Sequence, residues 1–295
     1  MKLARFTAAL WAACLCAGSA LAAGTLDKIK SSNTILVGYR DSSVPFSYLD
    51  GDKKPIGYSI DLCMKVVEAV KKELKLPGLH AKMVPVSSAS RIPALLGGDI
   101  DLECGTTTST SERRKQVAFT IPTFIAGARL LAKADSGING IYNLAGRTVV
   151  TTRGTTSEKF FEELNREQTL RAQLVLARDH GESFSFVETG KADAFIMDDV
   201  LLYSLRASSK QPADYVVTKD LLTIEPLAIM LRKDDASFKK LVDREITRLI
   251  IDNEIHAIYR KWFQSPIPPN GINLNLPMSH LLRDSFKAPT DWLPN

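Results

Sequence analysis

"YSIDLCMKVVEAVKKELKLPGLHAKMVPVSSASRIPALLGGDIDLE" runs from Tyr58 to Glu103, and its periodicity changes repeatedly along the way. Ile60, Cys63, Val66, Val67, Val70 and Leu74 share one helical face, so "YSIDLCMKVVEAVKKEL" reads as an amphipathic helix. "AKMVPV" (81–86) reads as a strand, "RIPALLGG" as a short helix, and "DIDLE" (99–103) as an alternating strand. Upstream, "TILVGY" (34–39) reads as a buried strand. Strand, helix, strand, helix, strand at this spacing predicts an α/β fold with a parallel sheet, because parallel strands need crossovers and helices supply them.

The rhythm restarts after residue 140. "RTVVTT" (147–152), "QLVLAR" (173–178), "DAFIMDD" (193–199) and "DYVVT" (214–218) read as strands, with "TTSEKFFEELN" and "GESFSFVETG" as helices among them. Two such units predict two lobes. The joints are the extended apolar runs "FIAGARLLAKAD" (124–135) and "LTIEPLAIMLRKDD" (222–235). A long amphipathic helix is expected over about 236–263, then an irregular Pro/Asn-rich tail. The expected organisation is a first lobe over 23–130, a second over 131–225, and a return to the first over 226–295.

With 295 residues and 45% apolar content, the chain can bury one large core or two modest ones. "MKLARFTAALWAACLCAGSALA" (1–22) places Lys2 and Arg5 before an apolar run, and Ala20-Leu21-Ala22 fits an A-x-A cleavage site. It reads as a secretory signal, leaving a soluble, exported protein. Trp11 stands where a lipoprotein signal has an aliphatic residue before Cys14, which argues against a lipid anchor. Loss of Lys2 and Arg5 lowers the net charge from +5 to +3, too small a surplus to favour nucleic acid. Cys63 and Cys104 remain, an even pair in an oxidising compartment. A disulfide is expected, with two buried thiols as the alternative. There is no C-x-x-C, and the histidines are scattered at 80, 180, 256 and 280, so no metal or redox cofactor is expected.

Ligands of open α/β sheets lie beyond the carboxyl ends of the strands. After the first strand come Arg40, Ser42 and Ser43; after the second, Ser88 and Arg91; after the third, an unbroken hydroxyl run from Thr106 to Ser111, then Arg113. The second unit offers Thr152 and Thr155, then His180, then Asp198 and Asp199. Each has an ordinary reading: Thr155 with Glu158 is a helix cap, Asp198–Asp199 can cap another, and Arg113–Lys115 can be a solvated surface. Their recurrence at successive strand ends points instead to a small, polar, anion-seeking site. A ligand with two carboxylates and one ammonium would use the whole set, with guanidinium forks on the carboxylates and an aspartate on the ammonium.

At these residues the chain resembles the periplasmic solute-binding proteins of polar amino-acid ABC importers, most closely the glutamate/aspartate-binding branch. The resemblance covers roughly 25–290, through "GYRDSSVPFSYLD", "SSASRIPALLGGDIDLECGTTTSTSERRKQVAFT", "TTRGTTSE", "DHGESF", "ADAFIMDD" and "KWFQSPIPP". It implies the two-lobe fold of the type II periplasmic binding proteins, with two hinge strands and the ligand in the interlobe cleft. Arg113, helped by Thr106 and Thr108, would clamp the α-carboxylate, and Asp198 would receive the ammonium. Arg40 and Arg91, with Ser88, would recognise the side-chain carboxylate, while Thr152, Thr155 and His180 contribute from the second lobe. The implied partners are L-glutamate or L-aspartate and inner-membrane permease subunits, with the binding protein itself a monomer. The branch usually has Ser where this chain has Thr106, which keeps the hydroxyl and adds a methyl.

Two other readings use the same residues. A periplasmic cyclohexadienyl dehydratase shares the fold and would need a general acid, for which Glu103, Glu158 or His180 are the candidates. A receptor's sensory domain would need a membrane span or signalling domain, and none is expected before Asn295.

Overall fold

The structure is a computed structural model and describes residues 24–291. The secretory signal read at 1–22, with Cys14 and Cys16, lies outside the described residues.

Two five-stranded sheets carry the molecule. In the first, the strands lie in the order His80–Pro85, Thr34–Tyr39, Leu102–Glu103, Met230–Arg232, Val117–Phe119. The first three are parallel, and Met230–Arg232 runs against both its neighbours. In the second the order is Gln173–Ala177, Thr148–Thr152, Ala194–Asp198, Ala128–Lys133, Tyr215–Val217, again with three parallel strands and one reversed insert. Both sheets follow one rule: second strand, first, third, a borrowed strand, fourth. The borrowed strand is antiparallel because it enters from the opposite side of the crossing between the lobes.

That crossing is a two-stranded antiparallel ribbon, Phe124–Ala126 against Glu225–Leu227. Each extended run expected as one joint is therefore two strands. Residues 124–135 break at Gly127, and residues 222–235 break at Ala228–Ile229. The second sheet begins at Ala128, so the boundary expected at 130 falls inside its borrowed strand. The crossing segments approach closely at Gly127, since an added Cβ would stand 2.2 Å from Leu221 Cδ1 and 2.6 Å from the Thr223 carbonyl oxygen.

Both faces of each sheet are covered. Along Ala194–Asp198, Ala194 and Ile196 enter one apolar cluster while Phe195 and Met197 enter the other, the period-two alternation of a strand buried on both sides. The helix Tyr58–Leu74 buries Ile60, Cys63, Val66, Val67 and Val70 against the first sheet. Cys63 on this helix is joined to Cys104, just after the central strand, as a disulfide with Cα atoms 6.3 Å apart. Closing a loop of 41 residues contributes roughly 4 kcal/mol by restricting the unfolded chain. Phe124 in the crossing stacks on Tyr259 and Phe263 at 6.1 and 5.0 Å, and the Tyr58 hydroxyl donates to the Thr123 carbonyl at 2.8 Å. The ribbon is thereby anchored to the first lobe.

The helix expected over 236–263 is two helices, Ala236–Ile251 and Glu254–Phe263. Asn253, at φ 61°, adopts the left-handed conformation that asparagine tolerates, and this turns the chain between them. The tail is not wholly irregular either: His280–Lys287 is a helix, opened by Ser279, whose hydroxyl accepts from Leu282 N at 3.2 Å. It buries Leu282 and Phe286. Among the described residues, no helix is long and apolar enough to cross a membrane.

Candidate ligand-binding cleft

The strand ends of both sheets meet between the lobes. Seven of the ten expected site residues line one small space, Ser88, Arg91, Thr106 and Thr108 from the first lobe and Thr155, His180 and Asp198 from the second, whereas Arg40, Arg113 and Thr152 stand outside its lining. Thr156 and Met197, which the sequence reading missed, complete the lining.

The hydroxyl run is not one continuous ledge. It lies extended along the crossing: Thr108 bridges to Leu227, Ser109 N donates to the Pro226 carbonyl, and Ala228 N donates to that of Thr107. Alternation then divides the side chains. Thr106 and Thr108 line the space, whereas Thr107 turns back and donates to Glu103 Oε2 at 2.6 Å. Thr110 caps the short helix Ser111–Arg114, accepting from Arg113 N at 3.2 Å. Arg113 is thus set on a capped turn. Its Nη1 donates to the Thr108 carbonyl at 2.9 Å, and its Nη2 reaches across the cleft to the Gly154 carbonyl at 3.2 Å.

Arg91 opens the helix Arg91–Gly97 and also points at the Gly154 carbonyl, 3.4 Å away. Gly154, at φ +80°, occupies a backbone region that favours glycine, and a Cβ there would meet Ala89 Cα at 2.7 Å. The lobes therefore touch through a position that can carry no side chain. Arg40 follows the first strand and is 1% exposed. Gly105 passes between it and Glu103, for an added Cβ would stand 2.8 Å from Arg40 Cγ and 2.3 Å from Glu103 Oε1.

In the second lobe, Thr155 is the N-cap of Thr156–Glu167, accepting from Glu158 N at 3.2 Å and donating to the Thr152 carbonyl at 2.7 Å. Glu158 Oε2 accepts from Gly154 N at 2.5 Å. Thr152 lies behind the lining: its hydroxyl is 2.8 Å from both His180 Nδ1 and Ser183 Oγ, so it supports the ring. The paired aspartates divide their work. Asp198 faces the space, and Asp199 Oδ1 accepts from Val200 N and Gly127 N at 2.8 and 3.3 Å, tying the second lobe to the crossing.

The cleft is electrically loaded. Burial first, and then the neighbouring Arg91, push Arg40 down to about 10 and Arg113 down to about 9, while burial also lowers Arg91; all three remain cations at neutral pH. Burial, reinforced by Arg40 and Arg91, holds His180 well below the usual histidine range. Burial, then Glu225 and Asp199, hold the Asp198 carboxyl well above the usual carboxylate range. Among the described residues, Arg40 Nε and Nη1, Arg91 Nε, Ser88 Oγ and His180 Nε2 are buried without a hydrogen-bond partner. Such groups cost about 1–3 kcal/mol each when unmet, and Arg91, Ser88 and His180 bring theirs to one space, which marks it as a polar binding site.

The sequence of residues 35–265 matches the family of bacterial extracellular solute-binding proteins, family 3. The chain belongs to this family. It is 49% identical over 269 residues to an L-glutamate/L-aspartate-binding protein of Pseudomonas aeruginosa, covering 91% of this chain and 89% of that one. A glutamate/aspartate import solute-binding protein of Escherichia coli K12 is 44% identical over 298 residues, 99% of each chain. Among solved structures, an ancestral amino acid-binding protein, a precursor of cyclohexadienyl dehydratase, superimposes with a TM-score of 0.69 at 30% identity, covering 81% of this chain and 99% of that one. The two-lobe fold of this solute-binding protein is the one its family shares. Its relatives at 44–49% identity are binding proteins and not enzymes. Of the acids a dehydratase would need, Glu158 is engaged by Gly154 N and Glu103 by Thr107.

Proposed function

We propose that this protein captures L-glutamate and L-aspartate in the periplasm and delivers them to the inner-membrane subunits of an ABC importer, after export through the cleaved signal at 1–22. One observation carries the reading. Arg91 and the buried Asp198 line one small interlobe space, while Arg113 shares the Gly154 carbonyl with Arg91 and Arg40 lies close enough to act on Arg91 and His180.

Arg113, with Thr106 and Thr108, takes the α-carboxylate; Asp198 takes the ammonium; Arg40, Arg91 and Ser88 take the side-chain carboxylate. Thr155, at a helix start, adds the partial positive charge of that end, and His180 completes the second lobe's contribution with Thr152 behind it. Bonds assisted by charge contribute about 1.5–3 kcal/mol each, so a handful supports micromolar affinity, about −8 kcal/mol. The relatives named for glutamate and aspartate support the same assignment. Titration calorimetry with L-glutamate, L-aspartate, L-glutamine and L-asparagine tests it. Saturable heat with the two dicarboxylates is expected, and absence of heat with both rejects the assignment.

A further inference from the structure

His180 is buried, yet it is held on one side only, and the proton relay that uses every contact on that side sets the state of the other. The Asp179 carbonyl, which also accepts from Ser183 N, lies 3.0 Å from Ser183 Oγ, and in the relay that uses every one of these contacts the single hydroxyl proton of Ser183 goes there. Thr152 Oγ1 is 2.8 Å from Ser183 Oγ and must therefore donate to it. Having spent its proton, Thr152 can only accept from His180 Nδ1, 2.8 Å away. The neutral imidazole thus carries its proton on Nδ1. Nε2, on the ring that lines the ligand space, is a bare lone pair without a partner among the described residues.

A carboxylate also presents only lone pairs, so this tautomer and a carboxylate repel. We infer that His180 receives the ligand's carboxylate only by taking up a proton, and that Thr152 and Ser183 are the positioning residues that impose this requirement. With both nitrogens protonated, Nδ1 stays bonded to Thr152 and Nε2 donates to the carboxylate, leaving the relay to Asp179 undisturbed. The inference rests on the dicarboxylate reading of the cleft.

The surrounding charges act in the same sense. Arg40 and Arg91 face the ring from the first lobe and, together with burial, keep it neutral in the free protein. Asp41 and Glu103 act on Arg40 from behind, and Glu103 acts on Arg91 as well. On the ring's own helix, the Asp179 carboxylate is tied to Arg178 Nε, and Glu182 to Arg178 N. Asp198 lines the same space. An arriving carboxylate offsets the two arginines and adds negative charge beside Nε2, both of which favour the imidazolium. A side-chain amide needs no such change, because its N–H can donate straight to the bare Nε2. Selectivity for a dicarboxylate over its amide therefore rises as pH falls. The gain is up to tenfold per pH unit between the free and bound pKa of the ring, and level outside that window.

The test is nitrogen NMR of protein labelled with ¹⁵N-histidine, with the His180 signals identified by their loss in His180→Gln. The free protein is expected to show a protonated Nδ1 and an unprotonated Nε2; with saturating L-glutamate both should be protonated. In Ser183→Ala, Thr152 regains a proton to give to Nδ1. The bound ring should then become a neutral Nε2–H tautomer and the pH dependence of glutamate affinity should flatten. A neutral His180 in the wild-type glutamate complex overturns the inference, as does an unchanged doubly protonated ring in glutamate-bound Ser183→Ala. If neither amino acid binds, the dicarboxylate reading fails, and the free protein still tests the relay, since an Nε2–H tautomer there refutes it.

Discussion

The two lobes share one strand order and face one cleft, but they do not supply the same chemistry. The first brings the cations, Arg40, Arg91 and Arg113, and the hydroxyls of Thr106 and Thr108. The second brings Asp198, the neutral ring of His180, the Gly154 carbonyl and a helix start. The first is also cross-linked by Cys63–Cys104 and braced by the aromatic stack under the crossing, whereas the second is held to the crossing by Asp199. Identical topology therefore fixes where side chains converge, and leaves charge free to be divided. Closure brings the positive half against the half that holds the acid and the acceptors.

The arginines give the sharpest way to break this division. Arg113→Ala or Arg91→Ala removes about two charge-assisted bonds, so the Kd for glutamate should rise at least a hundredfold in calorimetry. A loss below tenfold in both would mean that the first lobe is not the cationic half. Next comes the cross-link. Replacing both cysteines by serine should lower the stability of the first lobe by roughly 4 kcal/mol. Amide exchange should quicken in the strands 34–39 and 102–103 and stay slow in 148–152.

On the opposite side, Asp198→Asn should weaken binding about tenfold to a hundredfold, less than either arginine. Its pH dependence has a definite sign. Asp198 is held above the usual carboxylate range and must be ionised to receive an ammonium. Binding then releases its proton, and affinity falls as pH drops below that raised value. The variant should lose this acid limb.

Gly154→Ala tests the contact between halves: a Cβ would press on Ala89, and φ +80° disfavours any side chain. Affinity should fall about tenfold, and small-angle scattering should show less contraction with glutamate than the wild type gives. The smallest effect belongs to the exposed pair Lys159–Glu112, which spans the cleft mouth at 2.7 Å. Lys159→Ala should change Kd by no more than a few-fold, and less still at high salt.

Much of this was open to reading in the chain, because periodicity and strand ends are local properties. The rule that ligands lie beyond strand ends selected Arg91, His180 and Asp198, which meet on one space, and Arg40 and Arg113 near Arg91. What escaped depends on encounters between distant segments. Gly154 serves by having no side chain, so no residue-type argument could select it. Thr152 was expected at the ligand and instead stands behind His180, a distinction that only the facing helix decides. The turn at Asn253 escaped because apolar spacing continues on either side of it, so 236–263 read as one helix. The helix His280–Lys287, capped by Ser279, likewise escaped within a tail read as irregular from its Pro/Asn-rich stretch.

The borrowed strands have a consequence for biosynthesis. Residues 230–232 sit between two strands that precede residue 120, so the earlier half of the chain has a gap in its sheet until nearly all of the polypeptide has been translated. The second sheet is drawn wholly from residues 128–217 and is complete in one stretch of chain, so the first lobe alone must wait for residues 230–232 before its sheet can close.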